Sequence, residues 1–238
     1  MTNATAQHWL VIPAAGIGKR MAADIPKQYL SLNGKPVIAH TLHCLHTSIT
    51  FSAAVVTLAK HDEHWTSLDM SAFNNLHTTV GGKERADSVM AGLQYLKNNS
   101  NLQVASRDWV WVHDAARPCV RSEDLTKLQS TLHHCDVGAL LGMPVRDTMK
   151  EVTGNNNTVL KTLNREQMWH AFTPQVFRFD VLLQAMQHSI DNNFTITDEA
   201  SAVEQAGKLP VMVEGHADNI KITRPEDLAL AEFYLRNQ

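Results

Sequence analysis

Residues 8–21 read HWLVIPAAGIGKRM, and this stretch sets the architecture that the rest of the chain must fit. Residues 8–12 are a short, continuously apolar run with β-branched members, the pattern of a strand covered on both faces of a sheet. A proline, small residues and glycines then turn the chain toward a helix starting near Gly18. Residues with little side chain let the backbone approach an anion and turn its N–H groups toward it, and a helix N-terminus adds positive potential. The spacing is neither G-x-x-x-x-G-K-[ST] nor G-x-G-x-x-G, which excludes a Walker A loop and a dinucleotide fingerprint. A plain strand-to-helix turn with solvated cations would read the same way. Three cations gathered about this turn, Lys19, Arg20 and Lys27, favour a polyphosphate.

The pattern recurs along the chain. Apolar runs at 52–58 (SAAVVTL), 109–113 (WVWVH), 138–145 (GALLGMPV) and 210–213 (PVMV), with a shorter one at 78–80, read as further strands. Residues 37–46, 85–96 and 179–188 read as helices; in the second, Ala86, Val89, Met90, Leu93 and Leu96 form one stripe. Thr223-Arg224-Pro225-Glu226 has the form of a capping box opening a last helix with Leu228, Ala231 and Leu235 on its apolar face. Alternating strand and helix predicts an α/β protein: a three-layer α/β/α, Rossmann-like fold with a mostly parallel sheet. The polar stretch 146–173, with GNNN at 154–157, fits the alternation poorly and reads as a protruding β-arm. With no repeat or linker in sight, residues 1–238 read as a single domain.

Composition bounds the function. The chain is 44% hydrophobic and 19% charged, too apolar for a disordered protein. Lys plus Arg is 21 against 24 for Asp plus Glu, a formal charge of −3, where a nucleic-acid or membrane-surface binder would show a basic excess. The three cysteines show no C-x-x-C spacing, so a disulfide framework is not expected. The N-terminal stretch lacks the form of a signal peptide, and no run approaches the ~18 apolar residues of a membrane helix. The expectation is a cytoplasmic protein with no nucleic-acid or membrane partner.

In an open α/β sheet ligands sit beyond the carboxyl ends of the strands. There Asp114 follows the 109–113 strand within HDAARP, and Asp218 follows the 210–213 strand with Lys221 three residues on. A lone Asp after a strand is more often a turn-former or N-cap; two of them with Lys or Arg nearby point to a Mg²⁺–phosphate site. Gly81 and Gly82 permit close contact with a flat ligand such as a base, with Ser88 on the helix that follows, though a plain turn reads alike. His40, His43 and His46 lie with Cys44 on one predicted helix without the convergent spacing of a zinc site, so the histidines read as surface residues, and His133-His134-Cys135 as a helix end. Trp109 and Trp111 alternate on a strand and read as core. No G-x-S-x-G appears, so a nucleophile elbow has no support.

Taken together, PAAGIGKRM (13–21) with PKQYL (26–30), GGKERADSV (81–89), HDAARP (113–118), RDTMK (146–150), ITDEAS (196–201) and DNIKITRPEDL (218–228) resemble the 2-C-methyl-D-erythritol 4-phosphate cytidylyltransferases of the non-mevalonate isoprenoid pathway. The first block is shared by many sugar nucleotidyltransferases; the later ones are specific to this group. The resemblance implies that CTP and methylerythritol phosphate give a CDP-alcohol and pyrophosphate. It implies Arg20 and Lys27 at the α-phosphorus transition state, and Arg165 and Lys221 placing the incoming phosphate, helped by Thr173 and Thr197. It implies Ala14, Ala15, Gly16, Gly82, Arg85, Ser88, Asp114 and Ala115 at the nucleotide, with Gly82 and Ser88 reading cytosine and Arg85 bracing that loop. Arg117, Thr148, Thr173 and Thr197 would form the acceptor site. Asp114 and Asp218 would hold or orient Mg²⁺, and the arm would complete a homodimer, with Arg117 and Thr148 reaching the partner's site.

The chemistry agrees. A phosphate monoester with a second pKa near 6 is already mostly ionised at neutral pH and needs no general base. The barrier is electrostatic and calls for cations. A ribitol 5-phosphate cytidylyltransferase would share fold, CTP site and metal; Arg165, Thr173 and Thr197 favour methylerythritol phosphate. A non-catalytic nucleotide-binding protein on the same fold would lack one of Arg20, Lys27, Asp114 and Lys221, and all four are present.

Overall fold

The computed structural model describes residues 6–16, 18, 21, 25–154 and 156–238. In chain order it contains β1 (His8–Pro13), β2 (Ser31–Leu32), β3 (Lys35–Pro36), α1 (Val37–Ser48), β4 (Ala53–Leu58), β5 (Leu76–Val80) and α2 (Arg85–Asn98). Next come β6 (Trp109–Val112), α3 (Ser122–Thr131), β7 (Gly138–Pro144), β8 (Met149–Thr153), β9 (Thr158–Leu163) and β10 (Trp169–Arg178). The chain ends with α4 (Phe179–Asp191), α5 (Glu199–Gln205), β11 (Val211–Glu214) and α6 (Glu226–Arg236).

The central sheet has seven strands in the order β11-β7-β10-β6-β1-β4-β5. β10 runs antiparallel to both its neighbours and every other pairing is parallel. The carboxyl ends of β1, β4, β5, β6, β7 and β11 therefore lie along one edge, and the loops that follow them share it. Alternation along each strand divides the core. Leu10, Ile12, Ala54, Val56, Trp109 and Trp111 pack with α1 and α3 on one face, and Trp9, Val11, Ala53, Val55, Val110 and Val112 with α2, α4 and α5 on the other. The predicted three-layer α/β/α arrangement is thus observed, and the two tryptophans of β6 are core. Gly92 lets α2 lie against β1, because a Cβ there would stand 2.6 Å from Val11 Cγ1.

Three expectations are corrected. The box at residues 223–226 does not cap α6: the Thr223 hydroxyl turns to the Lys221 carbonyl, and Asp227 accepts the backbone N–H groups of Thr223 and Arg224 at 2.8 Å each. Asp227 lies one residue further into the helix than Glu226, where its shorter carboxylate meets both donors. His40 and His46 are half-buried rather than superficial, His40 bonded to the Leu32 carbonyl at 2.6 Å and His46 set against Phe51 and Phe73. The arm is the β8–β9 hairpin, whereas the stretch read with it from Trp169 onward enters the central sheet as β10. The helix expected near Gly18 falls largely on residues outside the described ones.

Leu93 lies fully buried between α2 and the sheet, while Lys97 one turn on is exposed. Leu93→Ala should cost about 2–5 kcal/mol in urea denaturation, and Lys97→Ala less than about 0.5 kcal/mol. Equal losses at the two sites would contradict the packing described.

Candidate active site

The loops after β1, β5 and β6 meet at a cavity of about 230 Å³. Its walls include Ala14, Ala15, Gly16, Gly82, Arg85, Ser88, Asp114 and Ala115, all eight of the residues expected at a nucleotide, together with Lys27 and Lys221. Three local devices shape it. Gln28 donates from Nε2 to the Ala14 carbonyl at 2.7 Å and holds the turn after β1. At the start of α2, Glu84 and Asp87 form a reciprocal capping box, which fixes where that helix begins. Gly81 admits no side chain, since a Cβ would stand 2.7 Å from that of Ala15 and 2.8 Å from Ser88 Oγ. The Ser88 hydroxyl accepts the Gly82 N–H and donates to the Glu84 carbonyl, both at 3.2 Å.

A second cavity of about 220 Å³ adjoins the first and is lined by Arg117, Phe172, Thr173, Gln175, Thr197 and Asp198. Arg85, Asp114 and Lys221 line both and form the wall between them. Asp114 is the centre of that wall. Its Oδ1 accepts Arg85 Nε at 2.8 Å, and its Oδ2 meets Lys221 Nζ at 2.7 Å and Arg117 Nε at 3.4 Å. Burial alone would raise this carboxyl's pKa, but Arg85, Lys221 and Arg117 outweigh it and hold the group well below the usual carboxylate range. The other side of Arg85 grips Glu199, fully buried, through Nη1–Oε1 at 2.6 Å and Nη2–Oε2 at 3.0 Å. This two-pronged geometry is what a guanidinium offers and an ammonium does not. Lys27 donates from Nζ to the Ile222 carbonyl at 2.7 Å, joining the first turn to the loop that carries Lys221.

Other expected residues lie elsewhere. Arg20, with Lys19, lies outside the described residues. Arg165 and Thr148 are exposed on the arm and line neither cavity; Arg165 bonds to the Arg146 carbonyl at the arm's root. Arg117 faces its own chain's second cavity, with Nη1 on the Asn219 carbonyl at 2.6 Å. Asp218 does not join Asp114. Its carboxylate is paired with Arg121 at 2.6 Å and it lines neither cavity.

These placements bear on a metal. Among the described residues no three His, Cys, Asp or Glu side chains cluster as a cation site. Asp218 Oδ1 is buried without a hydrogen-bond partner among the described residues, but it does not open on the cavity. Asp114 does, and its oxygens retain lone pairs. The donor set fits a hard cation held by one carboxylate plus substrate phosphates and water, the usual manner of Mg²⁺.

Residues to which the sequence assigns no role are Gln28, His113 and Glu199. Gln28 stands inside the quoted PKQYL block, His113 inside HDAARP and Glu199 inside ITDEAS, so motif membership is the available signal. His113 is fully buried, and burial pushes its pKa down to about 4, leaving it neutral at physiological pH.

A family model described as 2-C-methyl-D-erythritol 4-phosphate cytidylyltransferase, IspD, matches residues 9–237. The chain belongs to that family. Proteins of that name from Serratia proteamaculans (strain 568) and Aliivibrio fischeri (strain MJ11) are 45% and 46% identical, over 94% and 95% of this chain and 92% of each of theirs. The crystal structure of the enzyme so named from Francisella tularensis superposes with a TM-score of 0.81 at 35% identity, covering 96% of this chain and 100% of that one.

The Asp114 cluster has a consequence for stability. A carboxyl held below its unfolded pKa contributes stability that is present above that value, near 4, and lost as the pH falls through the folded value. Asp114→Asn should therefore destabilise most at neutral pH, by about 3–5 kcal/mol for a broken buried pair, and the gap to the parent should narrow below about pH 4. Denaturation midpoints across pH check this; a gap independent of pH would contradict the ionic account.

Proposed function

We propose that this chain transfers the cytidylyl group of CTP to 2-C-methyl-D-erythritol 4-phosphate, releasing pyrophosphate, and that it does so as a cytoplasmic, Mg²⁺-dependent homodimer. The observation that carries the reading is the shared wall: two cavities, one with every residue expected at the nucleotide and one with Arg117, Thr173 and Thr197, meet at Arg85, Asp114 and Lys221. A two-substrate transfer requires that adjacency, because the acceptor oxygen must reach the α-phosphorus in line with the leaving pyrophosphate.

In the reaction an acceptor phosphate oxygen forms a bond to the α-phosphorus and the bond to the bridging oxygen of pyrophosphate breaks. The protein moves no proton in this step. What it supplies is charge. Three cations, Arg85, Arg117 and Lys221, face two carboxylates, Asp114 and Glu199, so the wall carries a net positive charge where two anions must approach. Lys221, on both cavities, would contact the acceptor phosphate, and Lys27 the nucleotide phosphates, with Arg20 seven residues before it in sequence. Asp114 would hold Mg²⁺, whose charge would offset that of the substrate phosphates.

Arg165 and Thr148 lie on the arm, outside both cavities of their own chain, which supports a reading in which they serve a second copy. Exposed Val152, Val159 and Leu160 give the arm an apolar surface suited to such a partner.

Lys27→Ala and Arg20→Ala should each lower kcat by about two to three orders of magnitude while CTP affinity falls less. Near-normal kcat with lost CTP affinity would overturn the transition-state assignment. Mg²⁺-dependent pyrophosphate release with methylerythritol phosphate against ribitol 5-phosphate decides the acceptor; faster turnover of ribitol phosphate would exclude the choice made here. Mixing Lys27→Ala with Arg165→Ala protein should recover activity that neither shows alone, and no recovery would place Arg165 in its own chain's site.

A further inference from the structure

The HDAARP block contributes Asp114 to the wall, but its first residue has no part in the chemistry above. His113 follows β6, is fully buried, and has both ring nitrogens bonded: Nε2 to the Arg117 carbonyl at 3.0 Å and Nδ1 to the Thr173 hydroxyl at 3.1 Å. A carbonyl oxygen can only accept, so Nε2 carries the ring hydrogen. In the neutral ring Nδ1 is then an acceptor, and the Thr173 hydroxyl donates to it. The same hydroxyl oxygen accepts the Asp114 backbone N–H at 3.0 Å. A hydroxyl has one hydrogen and two lone pairs. The hydrogen and one pair are committed inside the protein, and Thr173 lines the second cavity with one lone pair left.

We propose that His113 is a positioning residue: by taking the Thr173 hydrogen it leaves that hydroxyl able only to accept, so the second cavity seats a hydroxyl group of the acceptor, not its phosphate, at Thr173. A lone pair facing an alcohol O–H makes a hydrogen bond; facing a phosphate oxygen it repels. The phosphate is left to Lys221, which also lines the nucleotide cavity. The acceptor then lies with its phosphate toward the nucleotide cavity and its carbon chain toward Thr173 and Thr197. A freely rotating hydroxyl would donate to the phosphate and admit the reversed orientation, in which the nucleophile points away from CTP. Thr173 is fixed at a second point as well, since its carbonyl accepts Asn219 Nδ2 at 2.9 Å, and Asn219 stands two residues before Lys221. The inference rests on the second cavity being the acceptor site.

Two measurements test it. In ¹⁵N spectra of histidine-labelled enzyme without substrate, the His113 signals, assigned by their loss in His113→Gln, should show an unprotonated Nδ1 and a protonated Nε2. The opposite tautomer would overturn the proposal. In kinetics, His113→Gln keeps a donor for the Arg117 carbonyl and removes the acceptor of the Thr173 hydrogen. KM for methylerythritol phosphate should rise about five- to tenfold, the size of one neutral hydrogen bond, with KM for CTP unchanged. His113→Asn, whose side-chain oxygen stands near the Nδ1 position, should restore most of the loss. In a Thr173→Val background His113→Gln should add less than about twofold, as expected when one residue acts through the other. An equal rise in both KM values, or a full effect in the Thr173→Val background, would make His113 merely structural and overturn the role. Absence of transfer by the parent enzyme would sink the acceptor reading itself, a result that no pattern among the variants can mimic.

Discussion

Everything at the working edge of the sheet depends on the Asp114 carboxylate being ionised although it is almost wholly buried. A buried, unpaired carboxylate would take up a proton or unfold its surroundings. It survives here because cations converge on it from three separate segments: Arg85 from the start of α2, Arg117 from its own loop, and Lys221 from the loop after β11. The Arg85 and Lys221 pairs each fasten a distant part of the chain to the end of β6, and the Arg117 pair braces the loop that carries Asp114. Glu199 repeats the device on the far side of Arg85 and brings α5 into the same cluster. One electrostatic constraint thus fixes four segments relative to each other.

That constraint also explains how a protein with a formal charge of −3 can hold a polyanion. Net charge is an average over a surface, whereas binding responds to local potential. The wall keeps an excess of one cation beside both cavities, and its carboxylates prevent those cations from repelling one another apart. The cations are also held in place before any phosphate arrives, so less side-chain entropy is lost on binding. Preorganised charge of this kind is what an electrostatically limited transfer needs.

Legibility in the sequence followed how local each feature is. Strands β1, β4 and β6 are continuous apolar runs and read directly, and so did the α2 stripe, whose Val89, Leu93 and Leu96 are all buried. β10 does not read as a strand in the sequence. Its sequence, WHAFTPQVFR, mixes polar residues with a proline, because its outer half is largely exposed while only the inner half is buried between β6 and β7. α5 spans seven residues, too short for a helical period to register. The nucleotide cavity was legible because its lining comes from compact motifs after β1, β5 and β6. Glu199 lies 114 residues from Arg85, and no local pattern distinguishes a carboxylate that will be buried against a guanidinium from one that will be solvated.

The two aspartates show the same limit from the other side. Asp114 and Asp218 look equivalent in sequence, each following an apolar strand with a basic residue close behind. Their strands are not equivalent. β6 lies in the middle of the sheet, so the loop leaving it is surrounded by the loops after β1 and β5 and its carboxylate faces a cavity. β11 is an edge strand, and the loop leaving it folds back toward the start of α3, where Arg121 captures Asp218. The same loop then runs inward and delivers Lys221 to Asp114. Strand order, which no single segment encodes, decides that the edge loop contributes its lysine to the shared wall and keeps its aspartate out of it.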